Sequence, residues 1–582
     1  MNSLQTPQCP SPRCALVLEE IALSGIVLLF LVLKSFGLNP NESDENIYFY
    51  NAWLMGQGFL PYRDFFFAHP PLHLIPGWLL LLVVREFNLT AFKLLPVFAA
   101  LMTGLCVYLI TRRFAGRIGA VVACLLFFFS HDLLRASSHW TGINWSVMWL
   151  TLGFFFVLKN KKIVGGILLG IAVCTGVYTA PAVFLICVMR FIARAGDGVR
   201  CAALMAVTLA VVNGVFLVIG GQAFIDGVYV FHTLKTPTDG SGLFDQLDKI
   251  LFHNFFLMAS PVYLLPFLLG WIKHGGWHQA ESVSSGVKQK PRKADRAKTR
   301  AGWRVLFNPD AKENGAMVVG LWCFVVWLGT LFFLYLLTRV FHFYFLLLFP
   351  FAAVCGGVFA QVLTGSLWQA VRERRFRWGL LLGLLLLVAG YFVYPLFEHQ
   401  MTYFKKEEGK TSTYSFPRSP LPHAIQRGMA FFFWEEGRVI GRRYSGIQYY
   451  LWHESRDFMT ANEIAAALKT VKTSNETLFG DSTTTPLVAL LSGAMITDHF
   501  VDTNVMRFKA GMPSARETIG QLERAMARSD NRFEWLLISP NKGIGGHLPF
   551  KNFFETRFSV FKTFTSPYFG TYLLMRRRSG SE

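Results

Sequence analysis

The sequence predicts an all-α polytopic membrane protein with about eleven crossings and a C-terminal extracytoplasmic α/β domain. Three observations point there: long apolar blocks, basic clusters spaced two crossings apart, and a change to soluble composition after Glu398. Hydrophobic residues make up 53% of the 582 positions and charged residues 16%, too apolar a balance for a soluble protein of this size. The runs 21–33, 118–129, 317–337 and 379–388 approach or reach the roughly 20 residues that cross a hydrocarbon core of about 30 Å.

A formal charge of +20 would suit a nucleic-acid partner, but the basic residues fall in short clusters between apolar runs. Arg112, Arg113 and Arg117 form one, Lys159, Lys161 and Lys162 a second, and Arg190, Arg194 and Arg200 a third. A basic stretch from 273 to 312 and the group Arg372, Arg374, Arg375 and Arg377 follow. Two crossings separate each cluster from the next, the pattern of cytoplasmic loops under the positive-inside rule. The partner is therefore the membrane, not nucleic acid. None of the nine cysteines forms a CxxC pair, so neither a disulfide framework nor a zinc knuckle is indicated.

The first helix, at about 16–36, reads as retained, because no small-residue cleavage site follows it. It runs outward from a cytoplasmic N-terminus into a loop at 37–91. Within that loop, 47–56 and 70–87 are amphipathic or apolar and hold Tyr48, Trp53 and Trp78, as expected of helices lying in the interface. Crossings are expected at 92–110, 118–129, 145–158, 163–176, 179–191, 202–219, 251–272, 317–337, 343–363 and 379–393. The loop 273–316 reads as a cytoplasmic linker. The membrane domain is expected to end at 397 and a soluble domain to fill 398–582. Strands at 477–481, 535–539 and 571–575 and a helix at 517–529 suggest a small α/β unit. Gly543-Ile544-Gly545-Gly546 does not continue as a dinucleotide fingerprint and reads as a turn.

Chemistry points to the first outward loop. An acidic pair, Asp44-Glu45, stands just beyond the first helix; near hydrocarbon such a pair is costly unless water, a metal or a substrate meets it. The bland alternative is a hydrated acidic loop. The surrounding string contains Tyr48, Ala52, Tyr62-Arg63-Asp64-Phe65-Phe66 and His69-Pro70-Pro71-Leu72. It resembles the first external loop of the GT-C glycosyltransferases, in particular the protein mannosyltransferase and aminoarabinose transferase relatives. The similarity extends through Arg112-Arg113-Phe114-Ala115-Gly116-Arg117, Gly165-Gly166, Phe224-Ile225-Asp226 and Arg339-Val340-Phe341-His342-Phe343-Tyr344.

The resemblance implies a GT-C fold and transfer of a monosaccharide from a polyprenyl phosphate to a lipid, glycan or protein acceptor outside the membrane. It implies no nucleotide cofactor, leaves a divalent metal open, and places the chain in a bacterial inner or plasma membrane. In inverting transfer a carboxylate takes the acceptor proton while the lipid phosphate leaves from the opposite face; Asp44 is implied as that base. Glu45 is expected to tune it or orient the acceptor. Tyr62, Arg63, Asp64 and His69 are expected near the donor, and His232, Lys235, Arg339, His342 and Tyr344 are candidates for the leaving phosphate. Two positions depart from the pattern: Ala68-His69 replace an acid before the prolines, and residues 142–144 lack a second Asp, with Asp132 nearby. The rival classes are a lipid-linked transporter, which predicts ionisable groups at mid-membrane and paired broken helices, and a scaffold that retained the fold without the chemistry.

Overall fold

The computed structural model describes residues 12–234, 242–273, 315–337, 339–372 and 457–578. Lys235, the loop beyond Lys273, the expected crossing at 379–393 and the expected domain boundary at 397 lie outside the described residues. The chain opens with α1 (Pro12–Ser35), α2 (Glu45–Gly56), α3 (Ile75–Val84), α4 (Leu89–Phe114) and α5 (Gly116–Phe128). There follow α6 (His131–Ala136), α7 (Gly142–Leu158), α8 (Lys162–Thr175), α9 (Ala180–Ala193) and α10 (Ala195–Gly220). Helices Leu243–His253, Phe255–Lys273, Gly315–Leu336 and Phe349–Arg372 complete the described bundle. Among the described residues, 6 helices are long and apolar enough to cross a membrane, and α5, α7, α8 and α9 are shorter apolar helices. The protein is an integral membrane protein.

Several expected boundaries move, each for a local reason. The crossing expected at 251–272 is broken at Asn254, whose side chain donates to Asp132 Oδ2 at 2.5 Å and accepts from Asp132 N at 3.1 Å. The crossing expected from residue 343 begins as an α-helix only at Phe349, after a 3-10 turn at His342–Leu347. Pro350 has no N–H and is tolerated in the first helical turn but not inside it. The helix expected from 202 instead starts at Ala195, with Asp197 in its first turn, where a carboxylate favours the helix dipole.

Three of the basic clusters pair with acids, Glu19 being buried and Asp197 half-buried. Glu19 of α1 pairs with Arg112 at 2.6 Å and Arg117 at 3.3 Å, while Asp197 pairs with Arg190 at 3.0 Å and with Lys162. Close helix contact elsewhere depends on glycine: a Cβ on Gly119 of α5 would fall 2.6 Å from the Gly357 carbonyl oxygen. Apolar solvent gives helices no hydrophobic drive to associate, so such backbone approach supplies the packing.

Residues 457–578 form a five-stranded sheet of order β2-β1-β3-β5-β4. β1 (Glu476–Gly480) runs parallel to β2 (Met495–Ile496) and β3 (Arg532–Ile538), and β5 (Gly570–Arg577) is antiparallel to β3 and β4 (Phe558–Ser566). The expected strands and helix are present, the helix at Ala515–Met526 being held by a Ser514/Glu517 capping box. The predicted turn is a 3-10 turn at Gly543–Gly546.

This unit shares a hydrophobic core with α2 and with the connection between α6 and α7: Tyr50, Leu54 and Trp140 pack in the same cluster as Phe458, Leu487 and Tyr572. Backbone and side chains stitch the two together. Phe458 N donates to Pro40 O at 3.0 Å, Ile496 N to Tyr50 Oη at 2.8 Å, Asn46 Nδ2 to Thr483 O at 2.6 Å, and Tyr572 Oη to Glu42 at 2.7 Å.

Gly119→Val tests the helix contact. Overpacking a close-packed position costs about 1–3 kcal/mol, so the purified variant melts at a lower temperature in detergent, whereas Gly196→Ala, where a Cβ meets nothing within 4 Å, leaves the melting temperature near that of the parent.

Candidate functional site

The acidic pair sits where α2 begins, and the turn of the helix sends the two side chains different ways. Successive helical residues point about 100° apart. Asp44 caps α2 and is exposed, whereas Glu45 is buried. A carboxylate at a helix N-terminus is favoured by the dipole.

Glu45 is committed to structure. Its Oε1 receives Lys93 Nζ of α4 at 2.5 Å and lies 3.5 Å from His139 Nδ1, and its Oε2 accepts the Trp140 N–H at 3.0 Å. Lys93 also donates to Ser138 O at 3.1 Å. Burial by itself would raise the Glu45 pKa, but the Lys93 ammonium and then His139 bring it down to about 2. Its negative charge is thus compensated within the protein by Lys93 and His139.

Asp44 lines a cavity of about 690 Å³. From the predicted set, His69, His232, Arg339, His342 and Tyr344 share its wall with Asp44 and Glu45. Tyr62, Arg63 and Asp64 lie off the cavity wall. Tyr62, at φ 69, donates to His69 O at 2.6 Å, while Asp64 pairs with Arg63 at 2.7 Å and accepts Leu60 N at 2.7 Å. These three shape the loop that presents His69.

Rings line the cavity in a continuous run. Centroids stand 5.1 Å apart from His73 to His69, 5.6 Å to His232, 6.0 Å to Tyr178 and 4.3 Å to Tyr344. Hydrogen bonds fix the order: Tyr344 Oη donates to Tyr178 Oη at 2.8 Å, Tyr178 Oη lies 3.3 Å from His232 Nδ1, and His232 Nε2 meets Ala68 O. Tyr48, one turn along α2 from Asp44, reaches His69 Nε2 at 3.0 Å.

The Tyr344 end of this run is cationic. Arg135 of α6 and Arg339 both line the cavity. Among the described residues Arg135 has no ion pair, and Arg339 keeps its Nε without a partner while its Nη1 touches Met506 Sδ at 2.9 Å. Burial first, then the nearby Arg135, lowers the His342 pKa to about 4, so at neutral pH this imidazole is an uncharged donor and acceptor. Two guanidiniums without counter-charge on one wall suit an anion.

Sequence reasoning passed over Arg135, His139 and Lys93. Lys93 left a trace, being a lysine inside an otherwise apolar crossing, which calls for a named partner; Arg135 lies in a polar connection that nothing local marks. Asp132 lies off the cavity wall and is tied to Asn254. Among the described residues no group of three or more His, Cys, Asp or Glu side chains is gathered to hold a metal ion.

Two solved structures are similar over almost the whole chain. The ArnT of Cupriavidus metallidurans bound to undecaprenyl phosphate is 13% identical, with a TM-score of 0.56 over 96% of this chain and 98% of its own. The same protein in its apo state gives 13% identity and a TM-score of 0.53, covering 95% of this chain and 98% of its own. The chain shares its overall fold with this ArnT. No family model and no curated protein matches the chain.

Breaking one side of a buried ion pair costs about 3–5 kcal/mol, so Glu45→Gln and Lys93→Met each lower the melting temperature sharply, and the double variant recovers much of the loss. Because the folded pKa is depressed, Glu45 contributes stability that is present above 4.5 and lost as pH falls towards 2. Melting curves across that window should lose part of their pH dependence in Glu45→Gln.

Proposed function

We propose that this protein transfers a monosaccharide from a polyprenyl-phosphate donor to a lipid, glycan or protein acceptor at the outer face of the membrane. The observation that carries the proposal is one cavity lined by Asp44 together with the guanidiniums of Arg135 and Arg339, which make no ion pair among the described residues. A carboxylate to accept a proton and fixed cations for a departing phosphate are the two requirements of such a transfer. The similarity in fold to an ArnT bound to undecaprenyl phosphate supports a lipid phosphate as that anion.

In this scheme the acceptor hydroxyl gives its proton to Asp44 as its oxygen forms a bond to the anomeric carbon. The bond from that carbon to the phosphate oxygen breaks, the electron pair leaves with the lipid phosphate, and the configuration inverts. Arg135 and Arg339 meet the charge that develops, with the Tyr344 hydroxyl and the neutral His342 as further polar groups. Glu45 positions α2, and with it Asp44, through Lys93.

The basic clusters that flank the junctions of α4 with α5, α7 with α8 and α9 with α10 support a cytoplasmic placement of those helix ends. Asp44 and the α/β unit of residues 457–578 then lie outside, with the N-terminus inside. The domain division at 397 rests on the composition of the sequence.

Transfer by the purified chain from a short-chain polyprenyl-phosphate sugar is the test. Asp44→Asn should lower kcat by about 10²–10⁴-fold, the usual contribution of a general base, and full activity in that variant would overturn its role. Arg135→Ala and Arg339→Ala should each weaken binding of the sugar-free lipid phosphate, which Asp44→Asn leaves intact.

A further inference from the structure

Two buried polar side chains on the cavity wall have no partner among the described residues. Asn51 lies on α2 about two turns beyond Asp44 and is 0% exposed, and neither its Oδ1 nor its Nδ2 is hydrogen-bonded. His73, 1% exposed, has both ring nitrogens without a partner. Both line the cavity. Nearly all buried polar groups in native proteins are satisfied, so two complete side chains left without partners at one place point to a ligand that completes them.

Their position follows the ring run described above. Asp44, Tyr48 and Asn51 form one stripe of α2 at helical spacing, and the Tyr48 and His73 rings stand 4.4 Å apart. His73 ends the run whose other end is Tyr344 and the guanidinium wall. A donor anchored by its phosphate at that wall would extend its sugar past His232 and His69 towards Tyr48, Asn51 and His73. Trp140 lies beside them, its ring 5.8 Å from that of His73, and offers a face for the apolar side of a sugar ring.

The two unpartnered groups at this end are themselves neutral, with the Asp44 and Asp502 carboxylates acting on the neighbouring Tyr48. Burial lowers the His73 pKa to about 3, which leaves one ring nitrogen a donor and the other an acceptor. The Asn51 amide adds two N–H donors and a carbonyl acceptor. Glu45, the nearest buried carboxylate on α2, is taken up by Lys93. Paired donors and acceptors without charge match vicinal hydroxyls better than an ammonium or a carboxylate. His73 fits because residue 142 is glycine: a Cβ there would overlap its ring.

We propose that Asn51 and His73 bind the hydroxyl groups of an uncharged donor sugar and decide which sugar the cavity accepts. This rests on the lipid-phosphate reading above.

The test titrates the purified full chain with a short-chain polyprenyl phosphate and with the same lipid carrying an uncharged hexose. The parent should bind the hexosyl lipid at least about tenfold more tightly than the bare lipid, the order of one net hydrogen bond. Asn51→Leu and His73→Phe should lose that gain yet keep the affinity for the bare lipid. Their melting temperature without ligand should hold or rise, because each removes unsatisfied buried groups; a residue that only supports the fold would lower it. His73→Gln, which keeps a donor and an acceptor, should restore part of the gain.

Variants that keep the full gain would overturn the proposal, as would variants that melt earlier and weaken both lipids together. A parent that binds the bare lipid but gains nothing from the hexose overturns this proposal alone. A parent that binds neither lipid overturns the lipid-phosphate reading as well. An equal gain from a lipid-linked amino sugar would overturn the restriction to uncharged ligands.

Discussion

The carboxylate of Glu45 and the ammonium of Lys93 meet with both side chains 1% exposed, and most of the site geometry follows from that contact. Oε2 of the same carboxylate holds the Trp140 N–H, and the same ammonium holds the Ser138 carbonyl. A second buried lysine, Lys34 at the end of α1, is bound to Leu134 O and Ser138 Oγ. Three elements, α1, α2 and α4, thus converge on the short connection between α6 and α7. That connection carries His139 and Trp140 to the cavity, and the last turn of α6 carries Arg135. A buried ion pair gives little net stability over an apolar replacement; what it gives here is a fixed register between α2 and the wall opposite.

The division of labour between Asp44 and Glu45 comes from helix geometry more than from chemistry. Two identical functional groups on consecutive residues are rotated about 100° apart, so one is drawn into the protein and the other left on the cavity. The same rotation gives α2 two working faces. Asn46 and Tyr50 bind the sheet domain, at Thr483 and Ile496, while Asp44, Tyr48 and Asn51 face the cavity. The sheet domain is therefore part of what holds the site in shape. It also supplies Met506 to Arg339 and the Arg507 guanidinium, 3.8 Å from the Phe66 ring centroid.

The cavity is polarised along its length. Arg135 acts on His342 and Arg339 on Tyr344 at one end, while at the other the Asn51 amide and the His73 imidazole stand on or beside the α2 stripe that also holds Asp44. A phosphate joined to an uncharged sugar has that same order of charge. The hydrogen bonds through Tyr178 and His232 to the Ala68 carbonyl couple the two ends through the loop that Tyr62 and Asp64 brace.

The sequence by itself determined the solvent and the bundle, because these depend on summed properties, and its first outward loop pointed to the candidate site. Apolar runs, the spacing of basic residues and the switch from apolar to mixed composition are one-dimensional signals that no packing detail can reverse. It also marked Asp44, His69, His232, Arg339, His342 and Tyr344, which the fold brings to one cavity. Tertiary structure decided everything that depends on which way a side chain turns. Glu45 became an anchor because Lys93, 48 positions later, lies against it; Tyr62, Arg63 and Asp64 became loop supports because the left-handed turn at Tyr62 folds them back on their own backbone. Asn51 and His73 carry no mark in the sequence, since an unpartnered buried group can be recognised only once its neighbours are in place. The pair with which the site begins, Asp44-Glu45, reads as two acids in one dimension; the turn of a helix and one distant lysine make them a candidate base and its support.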